Sequence, residues 1–132
     1  MQLQKPSAQL SAAIAQKIAD YAADASSPHH RLAADHGVLA LYYGWDMDFG
    51  LRTDGSVARF GDPDYTDVWY GHDEMDINAV AFGAQHHPEI KALFPERSQA
   101  AVDCESCAAT GFVVVKESSV LCGQCHGIGW HT

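Results

Sequence analysis

Basic side chains are scarce in this chain. Eight lysines and arginines stand against 17 aspartates and glutamates, a formal net charge of -9, and after Arg97 the only basic side chain is Lys116. Affinity for nucleic acid or for an anionic membrane comes from clustered Lys and Arg that displace counterions, so neither is an expected partner. A basic protein surface is the better electrostatic match. Long apolar runs are missing too. The longest, Val38-Leu39-Ala40-Leu41-Tyr42-Tyr43, falls far short of the roughly 20 residues that cross a bilayer as a helix. The opening Met-Gln-Leu-Gln-Lys-Pro lacks the basic start and the apolar stretch of roughly 7 to 15 residues that mark a secretory signal, so a cytoplasmic location is expected. There is no Gly-x-Ser-x-Gly elbow, no phosphate-binding glycine loop and no His-Glu-x-x-His pair. The commonest signatures of hydrolases, nucleotide enzymes and metalloproteases are thereby absent, and a non-enzymatic role is expected.

What is present reads as an α+β protein: an N-terminal helix, a small antiparallel meander, two short helices and a C-terminal zinc-ribbon-like hairpin. Ser7 can cap a helix over residues 8 to 25, where Leu10, Ile14, Ile18 and Tyr21 recur at helical spacing. Ser26-Ser27-Pro28 breaks it, and His29 to His36 can form a short turn of helix before Gly37. Val38 to Tyr43 is apolar enough for a central strand. Phe49 to Thr53 and Ser56 to Phe60 flank Asp54-Gly55, a dipeptide suited to a two-residue type I′ hairpin turn. Ile77, Val80, Ala81 and Ala84 mark an amphipathic helix, and Pro88 opens a second short one that Pro95 closes. The expected division is an α+β domain over residues 1-100 and a four-cysteine module over 101-132.

That module carries the strongest chemical signal. Cys104-x-x-Cys107 and Cys122-x-x-Cys125 are separated by 14 residues, enough for two short strands, Phe112 to Lys116 out and Val120-Leu121 back, with Glu117 to Ser119 as the turn. In a reducing compartment two such pairs hold metal more often than they form disulfides. Each Cys-x-x-Cys turn aims two sulfurs at one point, and two turns complete a tetrahedral sulfur shell of the kind zinc takes. Gly111, Gly123, Gly127 and Gly129 supply the backbone freedom that tight turns need. One structural Zn2+ is expected on Cys104, Cys107, Cys122 and Cys125, with no ligand position left open.

The segment Cys122-Gly-Gln-Cys125-His-Gly127-Ile-Gly129 resembles the C-x-x-C-x-G-x-G element of DnaJ-type chaperone zinc modules, and Cys104 to Gly111 is a looser copy. Those modules use four elements for two zincs, whereas this chain has two elements and no His-Pro-Asp signature of a J-domain; the resemblance implies one zinc and carries over no chaperone activity. The longer pattern from Pro88-Glu89-Ile90-Lys91-Ala92-Leu93-Phe94-Pro95 through Cys104 to Gly127-Ile128-Gly129-Trp130 is similar to a group of uncharacterised bacterial proteins. The strand-rich, acidic part before it resembles the SUKH superfamily of bacterial toxin-immunity proteins, which implies a chain that inhibits a toxin by binding it.

Between Asp62 and Asp76 the chain places Asp62, Asp64, Asp67, Asp73, Glu74 and Asp76 among Tyr65, Trp69 and Tyr70, without one Lys or Arg. Asp67 stands where a calcium loop needs glycine, so an EF-hand is not expected. The segment reads as an exposed acidic loop, and Asp62, Asp64, Tyr65, Asp67, Trp69, Tyr70, Asp73 and Glu74 are the candidate contacts for a basic partner, since Tyr and Trp are common interface anchors. The histidines, His29, His30, His36, His72, His86 and His87 among them, read as surface residues, because neighbours in sequence diverge on a helix. Two alternatives remain: a metal-dependent enzyme that uses these histidines, or a DnaJ-like chaperone or redox accessory protein acting through the cysteines.

Overall fold

The computed structural model of the chain describes residues 2–43, 47–61 and 73–131, with side chains from residue 76 onward in the last stretch. The architecture is α+β, as expected. Helix α1 (Ala8–Ala22) starts at Ser7, whose Oγ accepts the Leu10 N–H at 3.1 Å, and turns Leu10 and Ile14 into the core. It stops short of residue 25 because the Asp24 carboxylate accepts the Ser26 N–H and hydroxyl, at 3.1 and 2.6 Å, a local turn that competes with further helix. Helix α2 (His30–His36) closes on Gly37, which takes the left-handed cap at φ +67°.

Strands β1 (Leu39–Tyr43), β2 (Met47–Leu51) and β3 (Val57–Gly61) form the antiparallel meander in the order β1-β2-β3. β2 is therefore the middle strand, in place of the apolar Val38–Tyr43 run. β1 is apolar because helices cover both of its faces. Leu39 and Leu41 join Ile14, Leu51, Val80, Ile90 and Leu93 in the main core, while Val38 and Ala40 pack with Leu32 of α2 and Ala58.

The β2–β3 turn also differs from the expected type I′. Gly55 alone has a positive φ, +85°, its N–H donates to the Arg52 carbonyl, and the Arg52 N–H donates to the Ser56 carbonyl. This is a three-residue loop, a tight turn followed by a left-handed glycine. Asp54 prefers it because its carboxylate accepts both the Ser56 N–H (2.9 Å) and the Ser56 hydroxyl (2.6 Å).

Helix α3 (Asp73–Gly83) begins four residues before Ile77, so the end of the acidic segment is helical and not loop. It is also not amphipathic in the expected sense. Ile77, Ala79, Val80 and Ala81 are all buried, because Val80 and Ala79 face the main core while Ile77 faces the cysteines. A Cβ on Gly83 would lie 2.3 Å from Leu41 Cδ2, so glycine is what lets α3 lie so close to β1. Asp76 is ion-paired with Arg59 of β3. A 3-10 helix (Pro88–Leu93) follows, opened by Pro88 as expected, with Ile90 and Leu93 buried.

The C-terminal part contains β4 (Val102–Asp103) paired with β7 (Trp130–His131), and the hairpin β5 (Phe112–Val115) with β6 (Ser118–Leu121). Val115 pairs with Ser118, so the turn is Lys116-Glu117 and not Glu117 to Ser119. Both residues have positive φ, 49° and 67°, which matches the twist of a two-residue hairpin although neither is glycine. Among the described residues no helix is long and apolar enough to cross a membrane.

Candidate metal centre

Two copies of one turn build the site, displaced by 18 residues. In the first, the Gly111 N–H donates to Cys107 Sγ at 3.2 Å; in the second, the Gly129 N–H donates to Cys125 Sγ at 3.3 Å. Ala108 and His126 hold matching left-handed φ values of 53° and 57°, as do Gly111 and Gly129 at 85° and 91°. The copies are sewn together reciprocally: the Cys104 N–H donates to the Gly129 carbonyl and the Cys122 N–H to the Gly111 carbonyl, both at 2.9 Å. Ser106 and Gln124, again one repeat apart, are joined at 2.8 Å on the outside.

The result brings four sulfurs to one point. Cys104 Sγ lies 3.7 Å from Cys122 Sγ and Cys107 Sγ 3.7 Å from Cys125 Sγ, and all four atoms lie within 4.8 Å of one another. A disulfide needs about 2.05 Å between sulfurs, so these are free thiols. Sulfurs placed tetrahedrally at about 2.3 Å from one ion stand roughly 3.8 Å apart, close to the 3.7 Å of the Cys104–Cys122 and Cys107–Cys125 pairs. The four cysteines are buried, and Ile77, Ile128 and Trp130 complete the apolar cluster around them.

Buried thiols resist ionisation side by side. Burial pushes Cys125 up to about 12 and raises Cys104, while the Cys125 backbone N–H and then that of Gln124 hold Cys122 down at about 7. A bound cation reverses this balance, because a coordinated thiol gives up its proton outright. The donor set thus fits a thiophilic metal ion with no ligand position left for water.

The structure places the other candidate residues as follows. Asp62, Asp64, Tyr65, Asp67, Trp69 and Tyr70 lie outside the described residues, as does His72; Asp73 and Glu74 stand in the first turn of α3 with side chains outside the described set. His87 corrects the surface reading of the histidines. It is fully buried, and His29 and His86 lie against it with ring centres 5.4 and 6.4 Å away. Divergence on a helix does not apply, since α3 has ended at Gly83 and the His87 N–H closes a turn on the Gly83 carbonyl. Sequence reasoning named these histidines together but read them as surface residues, because nothing local shows that His29 packs on a residue so distant in the chain; the signal within reach was His87-Pro88, a histidine fixed at a helix boundary.

Compared with known proteins, the chain matches no family model, no curated protein and no solved structure.

Proposed function

We propose that Cys104, Cys107, Cys122 and Cys125 hold one structural Zn2+, and that the chain is a non-enzymatic, acidic interaction module that inhibits a basic partner, most concretely a toxin whose positively charged active site it masks. The observation that carries the first part is the cluster of four buried sulfurs within 4.8 Å of one another, two pairs of them 3.7 Å apart. Zinc is the ion that most commonly takes four thiolates as a structural centre. Four reduced cysteines suit a cytoplasmic location.

The second part rests on charge. A net -9 with six acids between Asp62 and Asp76 speeds association with a cationic surface, and the interleaved Tyr65, Trp69 and Tyr70 are anchor types for such a contact. The segment has firm ends: Gly61 closes β3, and Asp73 opens α3, which packs Ile77 on the cysteine cluster. Affinity capture from the native host, repeated with Asp64, Asp67, Asp73 and Glu74 changed to Asn or Gln, tests it. A basic protein captured by the unmodified chain should associate more slowly with the neutralised one; equal association rates would reject the interaction reading.

A further inference from the structure

Three imidazoles from distant parts of the chain meet at one place. His29 precedes α2, His86 and His87 follow α3, and the ring centres stand 5.6 Å apart for His29–His86 and 5.4 Å for His29–His87. Tyr21 of α1 covers the group, at 4.9 Å from His29 and 5.7 Å from His87. Two ring nitrogens here, His29 Nδ1 and His87 Nε2, are buried without a hydrogen-bond partner. Each such atom costs about 1–3 kcal/mol, and native proteins carry few without a reason.

Lys17 decides what His87 can do. Its ammonium lies 3.3 Å from His87 Nδ1, and an ammonium only donates, so Nδ1 accepts and the ring proton sits on Nε2. His87 therefore offers a donor and no lone pair. No hydrogen bond among the described residues ties a ring nitrogen of His29 or His86, and burial lowers His29 from the usual imidazole range, which leaves it neutral at neutral pH. These two line a cavity of about 260 Å³ whose walls include Tyr42, Phe82 and Gln85.

We propose that His29 and His86 form an open site for a divalent transition-metal ion of the imidazole-preferring kind, Zn2+, Ni2+ or Cu2+, with water completing its shell from the cavity that both residues line. With metal–nitrogen bonds of about 2.0–2.1 Å, two imidazoles on one ion put their ring centres roughly 5 to 6 Å apart, the separation His29 and His86 already have. The site has two protein ligands, and among the described residues the cysteines are the one group whose three or more ligand atoms converge. His86 is exposed and gives the ion a way in. Glu89, 2.9 Å from Lys17, offsets that ammonium's charge beside the group. The site is thus the converse of the cysteine centre, open and exchangeable where that one is closed.

The test is calorimetric titration of the folded, metal-loaded protein with Ni2+. A second equivalent should bind, should be lost in His86→Gln and in His29→Gln, and should persist in His36→Gln. Absence of a second equivalent in the unmodified protein overturns the proposal, and so does a second equivalent that survives His86→Gln, an exposed position whose change leaves folding intact. Metal released by a thiol-modifying reagent counts the cysteine-bound ion separately, so failure of the zinc reading and failure of this one give different results.

Discussion

Gly111 and Gly129 each accept a hydrogen bond from the first cysteine of the other's repeat, Cys122 and Cys104 respectively, both at 2.9 Å. The two turns therefore form as a pair. Each glycine also stands in a crowded place: a Cβ on Gly111 would lie 2.2 Å from the Gly127 carbonyl oxygen, and one on Gly129 would lie 2.5 Å from that of Ala109. Backbone contacts of this kind cannot swing aside as a side chain can.

Gly111→Ala is accordingly expected to remove roughly 3 kcal/mol or more, through the clash and the positive φ of 85° together. The repeat also exposes a position where the chain departs from its own better solution. Ala109, at φ +61°, occupies the place that Gly127 fills in the second copy, and Ala109→Gly should stabilise the metal-loaded protein by about 1 kcal/mol. Urea denaturation of both variants reads the two effects, and equal midpoints would refute the repeat argument.

Metal removal should unfold more than the cysteine turns. Ile77 of α3 is fully buried and packs on the sulfur cluster, so loss of the ion loosens the helix that also carries Val80 into the main core. Elemental analysis should find one ion per chain, lost in Cys104→Ser. Chelation should release four reactive thiols and shift the fluorescence of buried Trp130 to the red. Ile77→Ala should cost about 2–5 kcal/mol and make the ion easier to chelate; unchanged chelation kinetics would separate the helix from the centre.

Much of this was legible beforehand, and where it was not the reason is physical. The Ser7 cap and the convergence of the four cysteines follow from local spacing, so both could be read directly. Asp54-Gly55 suits more than one hairpin loop, and what selects the three-residue form is the Asp54 carboxylate on Ser56. Lys116-Glu117 carries no turn residue at all; its conformation follows from the pairing of Val115 with Ser118. His87 was misread because its burial depends on Tyr21 and Lys17, some seventy residues earlier in the chain.

The Lys116-Glu117 turn can be improved by design. Two non-glycine residues at positive φ are each disfavoured by about 1–2 kcal/mol, and Asn-Gly is the pair best suited to such a turn. Replacing Lys116-Glu117 by Asn-Gly should raise stability by about 1 kcal/mol or more without altering metal content. Thermal melting of the metal-loaded protein decides it, and no gain would mean that the hairpin is already lost from the unfolding unit.

Acid should weaken the fold through the histidine group. Burial first, then Lys17 and His29, hold His87 at about 4, against 6.5 for a free imidazole, while Glu89 acts in the opposite direction. His29 is lowered as well, by burial and then by His86 and Lys17. Because the folded value lies below the unfolded one, the unfolded chain takes up the proton first as pH falls. Stability is therefore full above about 6.5, declines by about 1.4 kcal/mol per pH unit for His87 alone as pH falls toward 4, and levels off below that, a total of roughly 3 kcal/mol. His87→Leu should flatten this slope. Acid release of the cysteine-bound metal is a separate loss, followed by a colorimetric chelator, and it should occur at the same pH in the variant. A His87→Leu protein that loses stability between pH 6.5 and 4 as steeply as the unmodified chain would show that His87 is not the group being titrated.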